Sequence, residues 1–206
     1  MGKVKVKKAD VWIDMTPMSD VMVLLLTFFM LTSTFVKNEP VKVTQPSSVS
    51  EIKVPEKNVL NIIVSKAGKV FMSMDNQNDM IALIQGMDQK CSIGLDAKEM
   101  KKFQTDPMWG IPVNSLKGYL KLPSEKMTEV ITSKDAGIPL DSIDKGKSEF
   151  QLWVTEAKAV NKDLSIAIKA DADTPYENIK KVMSELQDMS ENRYYLITSL
   201  KTGEDK

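Results

Sequence analysis

The chain has 206 residues with 28 acidic and 28 basic side chains, so it carries no formal net charge, and 42% of its residues are hydrophobic. The lack of a basic excess argues against nucleic acid as a partner, and the complete absence of histidine removes the commonest general base, the usual catalytic triads and most zinc sites. The single Cys91 can form no intramolecular disulfide and reads as a small core residue, which leaves proton chemistry to carboxylates.

Residues 1–10 hold Lys3, Lys5, Lys7 and Lys8 immediately before an apolar run. Lysines gathered at one end of a membrane-spanning helix mark its cytoplasmic side, so the N-terminus is expected inside and everything after Lys37 outside. A secretory signal is the competing reading. Against it, no alanine lies between Ala9 and Ala67 to build a cleavage site, and an Asp sits within the run; the segment is expected to stay uncleaved.

The run from Asp14 to Phe35 organises the rest. After Asp20 no formal charge occurs until Lys37, and long apolar residues of this kind suit a helix that replaces water with lipid. A transmembrane helix is expected over residues 11–36. An ionised Asp at the centre of such a helix costs roughly 3 kcal/mol on insertion scales, so Asp20 should face a protein interior or a wet cavity. At about 100° per residue, Thr16, Thr27 and Thr34 fall within roughly 40° of it, which makes them pore-lining candidates. Two blander readings stand beside this one. The Thr hydroxyls can bond their own backbone carbonyls, and Asp20 can lie solvated at the headgroup boundary.

Thr16-Pro17, two further residues, Asp20-Val21-Met22 and then an apolar run containing Phe29-Met30 closely resemble the transmembrane signature of the ExbD/TolR family, the single-span proton-channel subunits of Gram-negative inner-membrane motors. The resemblance implies that Asp20 is the protonatable, proton-translocating residue. The sequence departs from the family in having Asp14 where Asn is usual and Thr27 where an aliphatic residue is common. Asp14 is then either a second proton-handling acid or a helix N-terminal acid favoured by the dipole, and the second reading is preferred.

Residues 37–58 are rich in Pro, Ser and charge and read as an extended linker. Ile52 to Pro55 weakly resembles a segment that pairs as a strand in resting family members; an unpaired linker is the expectation. Residues 59–206 should form one domain. Val59 to Val64 and Val70 to Met72 read as a hairpin turned by Gly68, and Met80, Leu83, Ile84 and Met87 give a helix between Asn76 and Lys90. Leu164 to Lys169 is a strand, and a helix follows Asp173-Thr174-Pro175 with Ile179, Val182, Met183 and Leu186 as its apolar stripe. Tyr194 to Leu200 closes as a strand. The fold class is α+β, a single N-terminal transmembrane helix followed by a small periplasmic domain whose sheet is covered by helices on one face. Residues 166–176 resemble the family's periplasmic domain, and Tyr176 and Met183 are read as packing residues.

Residues 91–160 form a mostly helical insertion atypical of the family, with at least two helices, one near Ala97 to Phe103 and one from Glu149 to Val160, and loop-like stretches at 109–112 and 137–140. A partner-binding surface and an elaborated cap are equally open readings of it. No phosphate-binding loop, Cys/His cluster or internal repeat occurs in the sequence, so no enzymatic activity, cofactor or metal is expected.

The resemblance implies a homodimer within a ring of an ExbB/TolQ-like multispan subunit, contacting membrane lipid, handing work to a TonB/TolA-like transducer and energising outer-membrane transport. Two alternatives remain. One is a TolR-type subunit for envelope integrity, and the other is a membrane-tethered periplasmic binding or scaffold protein without proton conduction.

Overall fold

The computed structural model describes residues 14–33, 40–48, 55, 57–133, 135–140, 142–144 and 146–200. Two compact units result, Met1–Lys37 and Asn38–Lys206. In the first, helix α1 spans Thr16–Thr32. Pro17 falls in its opening turn, where a missing N–H costs nothing. None of its residues is buried.

The second unit is built on a four-stranded sheet. The short strand β1 (Ser47–Ser48) precedes β2 (Val59–Val64) and β3 (Val70–Met74). The turn between the latter two closes through Gly68 N–H to Ser65 O at 2.8 Å, with Gly68 at φ +77°, a conformation glycine adopts without steric cost. Helix α2 (Gln77–Cys91) buries Met80, Leu83, Ile84 and Met87, the stripe read from the sequence. Helices α3 (Ala97–Thr105), α4 (Val113–Lys121) and α5 (Ser124–Thr132) follow, then strands β4 (Ser142–Asp144) and β5 (Lys147–Ser148) and helix α6 (Glu149–Val160). Strand β6 (Ser165–Ala170), helix α7 (Tyr176–Asp188) and strands β7 (Tyr194–Ile197) and β8 (Ser199–Leu200) complete the order.

The main sheet runs β3-β2-β6-β7. Strand β2 is antiparallel to β3 and parallel to β6, which is parallel to β7. Register sets Leu60, Ile62 and Val64 beside Met74, Met72 and Val70 and beside Ile166, Ile168 and Ala170. These residues belong to the same core as the buried faces of α2, α6 and α7. Every residue of β2 and β3 is buried, on both faces, so cover on one face alone is too simple at these two strands. Phe71, on the face opposite Leu60, lies against Gly110 and shares a cavity wall with Val41 and Ile131.

The insertion supplies much of this cover. Met72 and Trp109 exchange two backbone hydrogen bonds of 2.8 Å, which extends the sheet's β3 edge by one bridge and protects it. A Cβ on Gly110 would overlap the ring of Phe71. Gly110→Ala should therefore destabilise the domain by about 1–3 kcal/mol through overpacking, measurable as a lower urea midpoint at unchanged slope.

Two expectations need correction. Tyr176 is 69% exposed, not packed, because α7 begins at that residue with Pro175 as its N-cap and the apolar stripe starts one turn later. Residues 40–48 are not an unpaired linker. Val41 and Val43 pack half-buried against the core, Thr44 N–H donates to Asp171 Oδ2 at 3.0 Å, Ala172 N–H donates to Thr44 O at 2.8 Å, and β1 pairs parallel with β8. The apolar alternation Val41-Lys42-Val43 overrides the local Pro and Ser content. The insertion, expected to hold at least two helices, also holds α4 and α5, each with a proline at its N-cap. Ile52 to Val54 lie outside the described residues.

Candidate functional site

In α1 one carboxylate stands in a field of apolar side chains. Asp20 is exposed on the helix surface, as are its neighbours Val21, Met22, Val23 and Leu24 at 57–69%. Among the described residues it has no hydrogen-bond or ion-pair partner. The hydroxyls of the helix are otherwise engaged. Thr27 Oγ1 donates to Leu24 O at 2.9 Å, Thr32 Oγ1 to Phe28 O at 2.8 Å and Ser19 Oγ to Met15 O at 3.2 Å. Thr16 donates through both its backbone N–H, at 3.0 Å, and its hydroxyl to Asp14 Oδ1.

These contacts sort the candidates. Thr27 turns back on its own helix, the blander of the two readings for that residue, and Thr16 turns to Asp14 instead of toward Asp20. Asp14 sits just ahead of the helix and satisfies one of its orphan N–H groups, the position an N-terminal acid prefers. Thr34 lies outside the described residues. Helix α1 has 17 residues, which rise roughly 25 Å against a hydrocarbon core of about 30 Å. Among the described residues no helix is long and apolar enough to cross a membrane; the ends of the expected span, 11–13 and 34–36, lie outside them.

The α+β domain shows a different use of carboxylates. Glu149 is buried, and its Oε1 accepts Val113 N–H at 2.8 Å. Because Pro112 at the N-cap of α4 offers no side-chain acceptor, Glu149 caps that helix from 36 residues away. Burial pushes the Glu149 carboxyl above its ordinary value of 4.5, a shift the Val113 N–H partly opposes. The folded protein then holds a proton that the unfolded chain releases, so this group costs stability as pH rises above about 4.5. Glu149→Gln keeps the acceptor and removes the titration. In urea unfolding at pH 4.5 and pH 7, the variant should lose less stability with rising pH than the wild type does.

Around it, Glu156 pairs with Lys90, and Ser148 Oγ, the α6 N-cap, donates to Glu185 Oε2. Cys91 is half-buried, and burial, together with Glu149 and Glu156, raises its thiol above the ordinary range. A thiol held protonated is a poor nucleophile. Tyr119 donates to Asp106 Oδ2 at 2.8 Å, and burial with that carboxylate holds its hydroxyl protonated. Among the described residues no three His, Cys, Asp or Glu side chains are grouped to hold a metal ion. The long-range cap by Glu149 and the docking of residues 40–44 escaped the sequence reading. Only the bare Pro112 in front of an apolar i, i+3, i+4 set could have signalled the former.

The structure is an apolar helix bearing one carboxylate, followed by an α+β domain in which Glu149 caps α4 and Glu156 pairs with Lys90. The family model for biopolymer transport protein ExbD/TolR matches residues 7–201, nearly the whole chain. The chain belongs to the ExbD/TolR family. No curated protein and no solved structure matches it. The family consists of non-enzymatic, inner-membrane-anchored subunits that transduce energy for biopolymer transport and generally work with ExbB/TolQ and TonB/TolA partners.

Proposed function

We propose that this chain is the proton-coupling subunit of an ExbB-ExbD-type inner-membrane motor and that Asp20 carries the proton. The observation that carries the reading is the isolation of Asp20. It is the one acid within α1, surrounded by side chains suited to lipid or to partner helices, while the helix hydroxyls bond elsewhere. In this reading α1 belongs to the membrane anchor and the α+β domain is periplasmic.

A carboxylate in such a place is stable only against a partner or water. One helix encloses no proton path, so a second copy and a ring of ExbB/TolQ-like subunits supply the walls. Protonation from outside makes Asp20 neutral and release to the inside makes it charged. Each change alters its attraction to partner helices, which turns the titration into a movement. One proton crossing 100 mV makes available about 2.3 kcal/mol, and each unit of pH difference adds 1.36 kcal/mol. A few protons per step are enough to bias a helix rotation, and the domain passes the work to a TonB-like transducer.

The test is proton flux. With an imposed pH gradient, vesicles holding this chain together with an ExbB-type subunit should acidify faster than vesicles holding either alone. Equal rates in all three would overturn the reading.

A further inference from the structure

Helix α6 is tied to the end of α7 at two points, by Ser148 Oγ donating to Glu185 Oε2 and by the Lys158–Glu191 ion pair at 3.2 Å. Alongside these ties lies a cleft of about 340 Å³. Its α6 wall is a polar stripe of Gln151, Thr155 and Lys158, spaced i, i+4 and i+7, and its α7 wall is the end of that helix, Asp188 and Met189. Lys147, one residue before the α6 N-cap, stands at the rim.

Gln151 is the unusual member of this lining. Nine-tenths of it is buried, yet its side-chain amide makes no hydrogen bond among the described residues. Its main chain is spent, the N–H on Ser148 Oγ and the carbonyl on Thr155 Oγ1 at 2.7 Å. A buried amide without a partner is costly, and an apolar side chain of similar shape avoids that cost. A polar arm kept at such a place has its partner in whatever occupies the cleft.

We propose that this cleft is a binding site for a free α-amino acid. The Gln151 amide presents two donors and one acceptor side by side, which suit a carboxylate and an ammonium borne on one carbon. Charges of both signs flank it. Lys147 stands at the N-terminal end of α6, where an anion is favoured, and Asp188 is the last residue of α7, where a cation is favoured, so each helix dipole acts in the same sense as the side chain beside it. Asp188 is exposed and has no hydrogen bond or ion pair among the described residues. A ligand of one charge would satisfy only half of this arrangement. The half-buried Met189 adds a flexible apolar wall for the ligand's own side chain.

Titration of the full-length chain in detergent, isotope-labelled at its methionine methyl groups, with the common α-amino acids one by one tests the proposal. At least one should shift the Met189 methyl resonance saturably, with a Kd of about 1 mM or tighter, while the methyl of Met80 in the core stays in place. The N-acetylated form of that amino acid, which lacks the ammonium, should bind about tenfold more weakly or worse, and so should the free amino acid to Asp188→Asn. Gln151→Leu should lose binding to the same degree with its urea midpoint unchanged or raised, because an amide kept for a ligand adds nothing to the stability of the fold. No saturable shift with any amino acid would make the cleft a pocket for ordered water and overturn the proposal. Equal binding of the N-acetylated form would overturn it as well, and so would a lowered midpoint in Gln151→Leu, which would make the amide a structural member.

Discussion

Asp20→Asn should abolish proton-coupled activity in cells while the protein accumulates in the membrane at its normal level. Asparagine keeps the size and polarity of the side chain and can still accept a hydrogen bond, but it cannot alternate between charged and neutral forms. The work available per cycle, about 2.3 kcal/mol per proton at 100 mV, then falls to zero. Activity should drop to the level of a strain lacking the chain, not merely decline. The α+β domain should be untouched, because α1 and the domain are separate compact units and a surface change away from the core alters stability by no more than about 0.5 kcal/mol. Asp20→Glu retains titration on a side chain one methylene longer, so partial activity is expected there. Uptake or envelope integrity driven by the proton gradient, scored beside membrane abundance, provides the readout. Full activity of Asp20→Asn would point to the scaffold reading, in which the carboxylate serves structure only.

What the sequence made legible follows the range of the interactions concerned. Helix α2 could be read residue by residue because its buried set, Met80, Leu83, Ile84 and Met87, repeats at the helical period and lies next to a capping Asn76 whose side chain accepts Asn78 N–H. Likewise Gly68 announced the hairpin turn, and Glu149 to Val160 came out with its observed ends because Ser148 caps it. Contacts that join distant residues were not legible. Thr44 meets Asp171 at a separation of 127 residues, and nothing local to a Pro- and Ser-rich stretch reports that its two valines find a core. Helix α4 escaped for a related reason. Its interior Gly118 lowers its propensity, its N-cap Pro112 has no acceptor, and the cap that replaces it comes from Glu149. Tyr176 is the opposite case, since an aromatic beside an apolar stripe reads as part of it, yet α7 begins at this residue and leaves it exposed. In α1, Asp20 is legible as a lone acid in an apolar run, whereas the hydrogen bonds of Thr16 and Thr27 are not, because a hydroxyl bonds a neighbouring carboxylate or backbone carbonyl as readily as any other acceptor.

Trp109→Ala should cost the domain about 3–5 kcal/mol, a large part of the 5–15 kcal/mol that holds a domain of this kind together. Trp109 is fully buried and forms one corner of an aromatic triangle, with ring centroids 5.3 Å from Phe103 and 5.8 Å from Trp153. Phe103 and Trp153 stack at 6.0 Å. Removing the Trp109 ring strips both neighbours of a contact and leaves a cavity beside α3, α6 and the sheet. The backbone pair with Met72 keeps the mutated residue in register, so the void has little freedom to collapse, and the loss should fall at the upper end of the range. Trp109→Phe should cost clearly less. It retains most of the ring and removes the indole N–H, which among the described residues has no hydrogen-bond partner, and a desolvated donor of that kind carries a penalty of about 1–3 kcal/mol. Urea unfolding of the two variants against the wild type measures the difference. The same residue bears on the insertion as a whole. Phe103, Trp109, Leu116, Leu120, Phe150 and Trp153 share one continuous core with Ile62 and Met72 of the sheet, so residues 91–160 are structural members of the domain. A chain joined directly from α2 to β6 should therefore fail to fold cooperatively, whereas a decoration resting on a complete family domain would be removable with little effect on the unfolding midpoint.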